Sequence, residues 1–154
     1  MANLTGGAQS FHGDTADIDT SALVAVGTRA RDAAGNEYIY LKGVASVGAG
    51  SWVTFNESYA TALLTANAVG PVAIAMAAIV ANNWGWFQIY GVNTIAKTDT
   101  TSADLQLFID GTDGRADDAV VSGDMIVGAQ SQTADSSNVA TVSIQYPHVN
   151  NILG

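Results

Sequence analysis

Very few residues in this chain can do acid–base or nucleophilic chemistry, and they are not arranged for it. There is no Cys, which removes thiolate nucleophiles and Cys-ligated zinc. The only imidazoles are His12 and His148, near the two ends of the chain. A catalytic imidazole needs a rigid scaffold and an orienting partner. Both are therefore read as solvated or interface histidines. The only glutamates are Glu37 and Glu57, and the aspartates concentrate near the N-terminus and in turns. Glycoside hydrolysis needs two carboxyls facing each other across a cleft, one with a raised pKa, and nothing in the spacing provides that. No Ser sits in a Gly-x-Ser-x-Gly elbow. Asp110-Gly111-Thr112-Asp113-Gly114 with Asp117-Asp118 has the look of a calcium loop. Its spacing departs from the EF-hand pattern and no Glu closes it, so the residues are read as turn formers. No catalytic, cofactor-binding or metal-ligating residue is assigned, and the chain is not expected to be an enzyme.

The aromatic run Trp84-Gly85-Trp86-Phe87-Gln88-Ile89-Tyr90 is the best binding candidate. Trp and Tyr stack on sugar rings and anchor protein interfaces. On a strand, Trp86, Gln88 and Tyr90 face one way and Phe87 and Ile89 the other. One face must be core. The other is either core as well or an intersubunit surface, so Trp84, Trp86 and Tyr90 are candidate interface residues. Leu4, Phe11 and Ile18 complete that set. They are isolated apolar residues in a Gly-, Ser-, Thr- and Asp-rich stretch, residues 1–21, that cannot build a core alone. This stretch is an extended arm able to reach roughly 65–70 Å. It is either a disordered terminus or an arm that orders on a neighbouring subunit.

The elements that position these residues read as β. The chain has 154 residues, 48% hydrophobic but only 12% charged, where about a quarter charged is usual. One domain is expected, over residues 22–147, with an arm before it and a tail over 148–154. The span 22–42 reads as a hairpin around Arg31-Asp32-Ala33-Ala34-Gly35-Asn36. Within it, Tyr38 and Tyr40 lie on one face and Ile39 and Leu41 on the other. Strands follow at 51–55, 72–80, 84–92, 104–109, 124–129 and 138–146. Val72 and Ile74 alternate with Ala73 and Ala75, which indicates a strand buried on both faces. A single short helix is expected over about Tyr59 to Asn67, stopped by Gly70-Pro71. The fold class is all-β: a compact β-barrel or sandwich of about eight to ten short strands with one short helix and an extended N-terminal arm.

Net charge is −9 at neutral pH, and Arg29, Arg31, Lys42, Lys97 and Arg115 are scattered. Binding to nucleic acid or to an anionic membrane is therefore not expected. The longest apolar run, Val72 to Ala81, is about half of what a membrane-spanning helix needs. Met1-Ala2-Asn3-Leu4-Thr5 shows no secretory signal, so synthesis in a host cytoplasm is expected.

Several segments together resemble bacteriophage capsid decoration, or cement, proteins. They are Val26-Gly27-Thr28-Arg29-Ala30-Arg31-Asp32 with Gly35-Asn36-Glu37-Tyr38, then Gly70-Pro71-Val72-Ala73-Ile74-Ala75, then Gly85-Trp86-Phe87-Gln88-Ile89-Tyr90-Gly91, then Ser122-Gly123-Asp124. The resemblance covers residues 22–147. It implies a structural virion protein on the capsid surface, bound to the major capsid protein as a homotrimer gripping the shell with its arms. It implies no cofactor. The rival readings are a carbohydrate-binding module displayed on a virion, resting on Trp52, Trp84, Trp86 and Tyr90, and another head or tail structural protein.

Overall fold

A computed structural model describes residues 4–5 and 13–150. Among them are twelve strands and no helix. They are β1 (Leu4–Thr5), β2 (Ile18–Asp19), β3 (Arg29–Asp32), β4 (Glu37–Lys42), β5 (Trp52–Phe55), β6 (Thr61–Leu63), β7 (Gly70–Ala75), β8 (Trp84–Lys97), β9 (Gln106–Ile109), β10 (Ala116–Asp117), β11 (Met125–Ser131) and β12 (Val139–Val149). Antiparallel pairing joins them into one sheet in the order β1-β3-β4-β8-β7-β12-β11-β9-β10. Strands β5 and β6 extend from β7, and β2 lies on β8. The all-β class is as the sequence implies.

Strand β8 organises the sheet. Its first half pairs with β4, and its second half, Tyr90 to Lys97, pairs with β12. Between these, Gln88 and Phe87 also pair with Ile74 and Ala75 of β7. Strand β7 in turn meets the far end of β12 through Pro71–His148 and Gly70–Val149. The sheet therefore forks at β8, and β7 becomes a wall between two cores. Val72 and Ile74 join Trp52, Leu107, Ile126, Val142 and Ile144 on one side. Ala73 and Ala75 join Ile39, Leu41, Phe55, Phe87 and Ile89 on the other. The large-against-small alternation of β7 reflects this double burial. A third, smaller cluster of Ala30, Tyr38, Tyr40 and Trp86 covers the opposite face of β4 and β8.

The expected helix over 59–67 is absent and is replaced by a β5–β6 hairpin. Asn56 does not cap a helix. Its side-chain oxygen accepts from the backbone N–H of Ser58 and of Ala60, both at 3.0 Å, and closes a turn. Tyr59 and Asn67 have φ of 59° and 61°, which a helix cannot pass through. Thr61 and Leu63 pair instead with Phe55 and Val53. Leu64, which follows the hairpin, is fully buried.

Two segments differ in extent from their expected bounds. Strands β8 and β12 are fourteen and eleven residues long, and β12 runs through His148 to a buried Val149. Residues 13–21 lie on the body of the protein. Ile18 and Asp19 pair with Gly85 and Trp84, and the Tyr40 hydroxyl donates to Asp19 at 2.5 Å. Phe11 lies outside the described residues.

At the fork two buried amides bond backbone groups of β8. Gln88 Nε2 donates to the carbonyls of Tyr90 and Val92, each at 3.1 Å. Gln88 Oε1 accepts from Asn93 Nδ2 at 2.9 Å, and Asn93 Oδ1 accepts from the Ile95 N–H at 2.9 Å. Both side chains are 1% exposed. A buried polar group stripped of its partner costs its full desolvation penalty. Gln88→Leu, similar in size, removes three hydrogen bonds at once. It should lower stability by about 2–4 kcal/mol, read from urea midpoints by circular dichroism. A loss below about 0.5 kcal/mol would show that the fork does not need the amide.

Candidate functional site

Two tyrosines stand out on the surface because the backbone bends to put them there. Tyr90 and Tyr146 are 38% and 48% exposed, and their rings lie 5.3 Å apart, tilted by 35°. Val127 opposes His148 and Ala129 opposes Ile144, so Gln145, Tyr146 and Pro147 face the single residue Gly128. This bulge ejects Tyr146 from the ladder at φ 46°, a conformation uncommon for a bulky side chain. Gly128 permits it. A Cβ there, on a backbone already at φ 81°, would sit 2.7 Å from the Gln145 carbonyl oxygen. Tyr90 is displaced by a second bulge, where Glu37 and Tyr38 of β4 oppose Tyr90 and Gln88 across an extra Ile89. Gly91 follows at φ 103°, and a Cβ there would collide with Asn36 Oδ1, which accepts from the Val92 N–H at 3.1 Å.

The pair is tied to a charged clamp. The Tyr146 hydroxyl donates to Glu37 Oε2 at 2.5 Å, and Arg31 forms an ion pair with Glu37 Oε1. Four strands thus converge: Arg31 from β3, Glu37 from β4, Tyr90 from β8 and Tyr146 from β12. The Tyr146 hydrogen bond and the charges of Arg31 and Arg29 hold the Glu37 carboxyl below its ordinary range, against the opposing effect of burial. The same bond raises the Tyr146 hydroxyl above its usual value.

Beside the tyrosines an open groove of about 300 Å³ runs over the outer face of β9, β11 and β12. Its lining is Gln106, Gly128, Ala129, Gln130, Ser143 and Gln145. Gln145 opposes Tyr90, and Ser143 opposes Val92.

The other candidates fare differently. Trp86 was expected as an interface residue. It is instead 6% exposed, edge-on against Tyr40 at 5.1 Å between centroids, and belongs to the third core cluster. Val24, Met76 and Trp84 pack against this cluster and help to bury the face that a bare hairpin would expose. Burial, and then the bond to Asp19, raises the Tyr40 hydroxyl to about 12. Trp84 is half-buried, with the Lys42 ammonium 5.2 Å from its ring centroid. Trp52 is fully buried, its indole N–H donating to the Lys97 carbonyl at 2.9 Å. Ile18 is 45% exposed although its backbone is paired. Leu4 pairs through its backbone with Asp32. Sequence reasoning missed Tyr146, Gly128 and Glu37. The only local signal was Tyr146-Pro147, since proline interrupts a ladder.

Three of the four carboxylates of the Asp110–Asp118 turn accept backbone N–H groups, two from close by in sequence and one from Ser102. Asp110 accepts from the Thr112 N–H at 2.8 Å, Asp117 from Ala119 at 3.2 Å and Asp118 from Ser102 at 2.8 Å. Among the described residues, no group of three or more His, Cys, Asp or Glu is placed to hold a metal ion. Among them, too, no helix is long and apolar enough to cross a membrane. Compared with protein-family models, with curated proteins and with solved structures, the chain matches none of them.

Two titrations follow. Glu37 is more acidic folded than unfolded. It therefore stabilises the fold above its ordinary value of 4.5, and that contribution is lost as pH falls through its lowered folded value. Tyr146→Phe should move the Glu37 titration, followed by NMR, up toward 4.5 and reduce stability at pH 7 by about 0.5–1 kcal/mol. An unchanged titration would break the assigned pairing. Asp117 has the opposite sign. Burial first, then Asp110 and Asp118, raises its carboxyl from 3.8 to about 6. Its contribution therefore favours folding at low pH and is lost as pH rises from 3.8 through about 6. Asp117→Asn should stabilise at pH 7.5 by on the order of 1 kcal/mol and by much less at about pH 3. Equal effects at both pH values would sink this assignment.

Proposed function

We propose that this chain is a structural virion protein: a cement, or decoration, protein on the outside of a phage capsid that stabilises the shell as a homotrimer. Its partners are the major capsid protein and its own copies, and it performs no catalysis. The curled sheet is read as a barrel-like module, sealed where Thr98 bridges Ala116 between the end of β8 and β10. The observation that carries the reading is the way the N-terminal segment binds. Leu4–Thr5 adds to the edge of β3 with Leu4 opposite Asp32 and Thr5 opposite Arg31. Extended chain adds to an open sheet edge through main-chain hydrogen bonds, and the same pairing can be made on a neighbouring subunit.

Exposed apolar side chains supply further contact area of the kind subunit interfaces use. Val69, Val120, Val121, Met125 and Val127 are all exposed, Val120 most strongly at 81%. The loops carrying Val69 and Val120 are held together where the Asn67 N–H donates to Asp124 at 2.7 Å. Repeated attachment through three copies multiplies weak contacts into strong retention. The bulged, amide-filled sheet suits a part that must stay rigid under the outward pressure of a packaged genome.

The test uses capsids assembled without the chain. Added full-length protein should occupy them in symmetry-related stoichiometric copies, counted by gel densitometry and electron cryo-microscopy. A form lacking residues 1–12, which keeps the Asp19–Tyr40 contact, should bind at least about tenfold more weakly. Sub-stoichiometric occupancy, or equal binding by both forms, would overturn the proposal.

A further inference from the structure

We infer that the groove beside the tyrosine pair binds an uncharged polyhydroxylated ligand, a neutral glycan chain, independently of the shell contacts proposed above. Two rows of directly opposed residues run through the groove and on to its neighbours on β4 and β8. One row runs Val92–Ser143–Gln130–Gln106 across β8, β12, β11 and β9. The other runs Glu37–Tyr90–Gln145 across β4, β8 and β12. Opposed residues on one face lie within about 5.5 Å at Cβ, so each row is a continuous strip of side chains.

The chemistry of the strips selects the ligand. No lining residue is charged. Gln106 is anchored, its Nε2 within hydrogen-bond distance of the carbonyls of Ile126, Ala129 and Leu107 at 2.8, 3.0 and 3.0 Å. That fixes the amide, and its oxygen accepts no protein hydrogen bond among the described residues. Gln130 is held the same way, Nε2 to the Asp104 carbonyl at 3.1 Å. The side chains of Ser143 and Gln145 make no hydrogen bond to another described residue. The groove therefore offers two positioned acceptors, one hydroxyl and one complete amide. Vicinal hydroxyls match such mixed donors and acceptors, while a carboxylate or sulfate would find no cation in the lining. At the end of the strip the Tyr90–Tyr146 pair presents aromatic surface for the apolar face of a sugar ring. Ring orientation is held by the Tyr146–Glu37–Arg31 clamp, which limits the entropy lost on binding. Trp52 and Trp86 are not this platform, because both are buried.

The experiment probes an array of neutral, sialylated and sulfated glycans with the labelled full-length chain. Hits are measured by calorimetry, and Gln145→Ala and Ser143→Ala serve as variants. Both positions face outward without protein hydrogen bonds, so both variants should keep the wild-type melting temperature. Binding confined to neutral glycans and weakened at least about fivefold by each variant is the expected result. Absence of binding to every neutral glycan, preference for the sialylated or sulfated ones, or unchanged affinity in both variants would overturn the assignment. Capsid occupancy is a separate readout, so either proposal can fail alone.

Discussion

The structure depends on one buried pair of amides. Strand β8 changes partners along its length, from β4 and β7 to β12. At the changeover, backbone groups of β8 also take side-chain partners. In the interior such groups carry a desolvation cost that burial of apolar area does not offset. Gln88 and Asn93 supply these partners for the carbonyls of Tyr90 and Val92 and for the N–H of Ile95. With those bonds made, β7 can stand between two cores and give each of them a face.

The constraint propagates outward. Where β8 passes from β7 to β12, between Gln88 and Tyr90, its register against β4 slips by one residue, and Tyr90 turns to the surface. Strand β12 must serve β8 along one stretch and β7 along another, and it accommodates the change with the Gln145–Pro147 bulge. Tyr146 is ejected by that bulge. The two exposed tyrosines meet because two internal register adjustments fall side by side. Glycines at 91 and 128 are required where the displaced backbone comes too close to a neighbour for any side chain. Surface chemistry at this place is thus a consequence of interior pairing.

Much of the core was legible from alternation, because period-two burial is a local property. Val72 and Ile74 against Ala73 and Ala75, and Tyr38 and Tyr40 against Ile39 and Leu41, fall on the faces that the pattern assigns. The helix over 59–67 was misread because apolar spacing alone does not distinguish a short helix from a hairpin. The deciding events were left-handed residues at Tyr59 and Asn67. Of the two readings left open for Trp86, core and interface, the core one fits its burial, to which Val24 and Met76 from other segments contribute. Gln88 was visible as a strand residue on the Trp86 face, but not as a buried amide. Its partners are carbonyls at a fork that is a property of three strands together. Nothing local in Gly128 or Glu37 marked them, since each matters through a residue about seventeen or more positions away.

The unusual composition has a physical reading that does not require an acidic function. Long charged side chains are scarce, while Asp, Asn, Gln, Ser and Thr are used to close backbone hydrogen bonds. Eight of the twelve aspartates accept a backbone N–H: Asp14, Asp17, Asp32, Asp110, Asp117, Asp118, Asp124 and Asp135. A single chain that makes twelve strands needs many tight turns, and short carboxylates are among the best groups for holding them. Asp32 shows the logic in full. Burial alone would raise its pKa, but bonds from Asn36, Tyr38 and Ala34 outweigh it and keep the carboxyl ionised below its ordinary value. The net charge of −9 thus accumulates turn by turn. It comes from the way the sheet is folded back on itself.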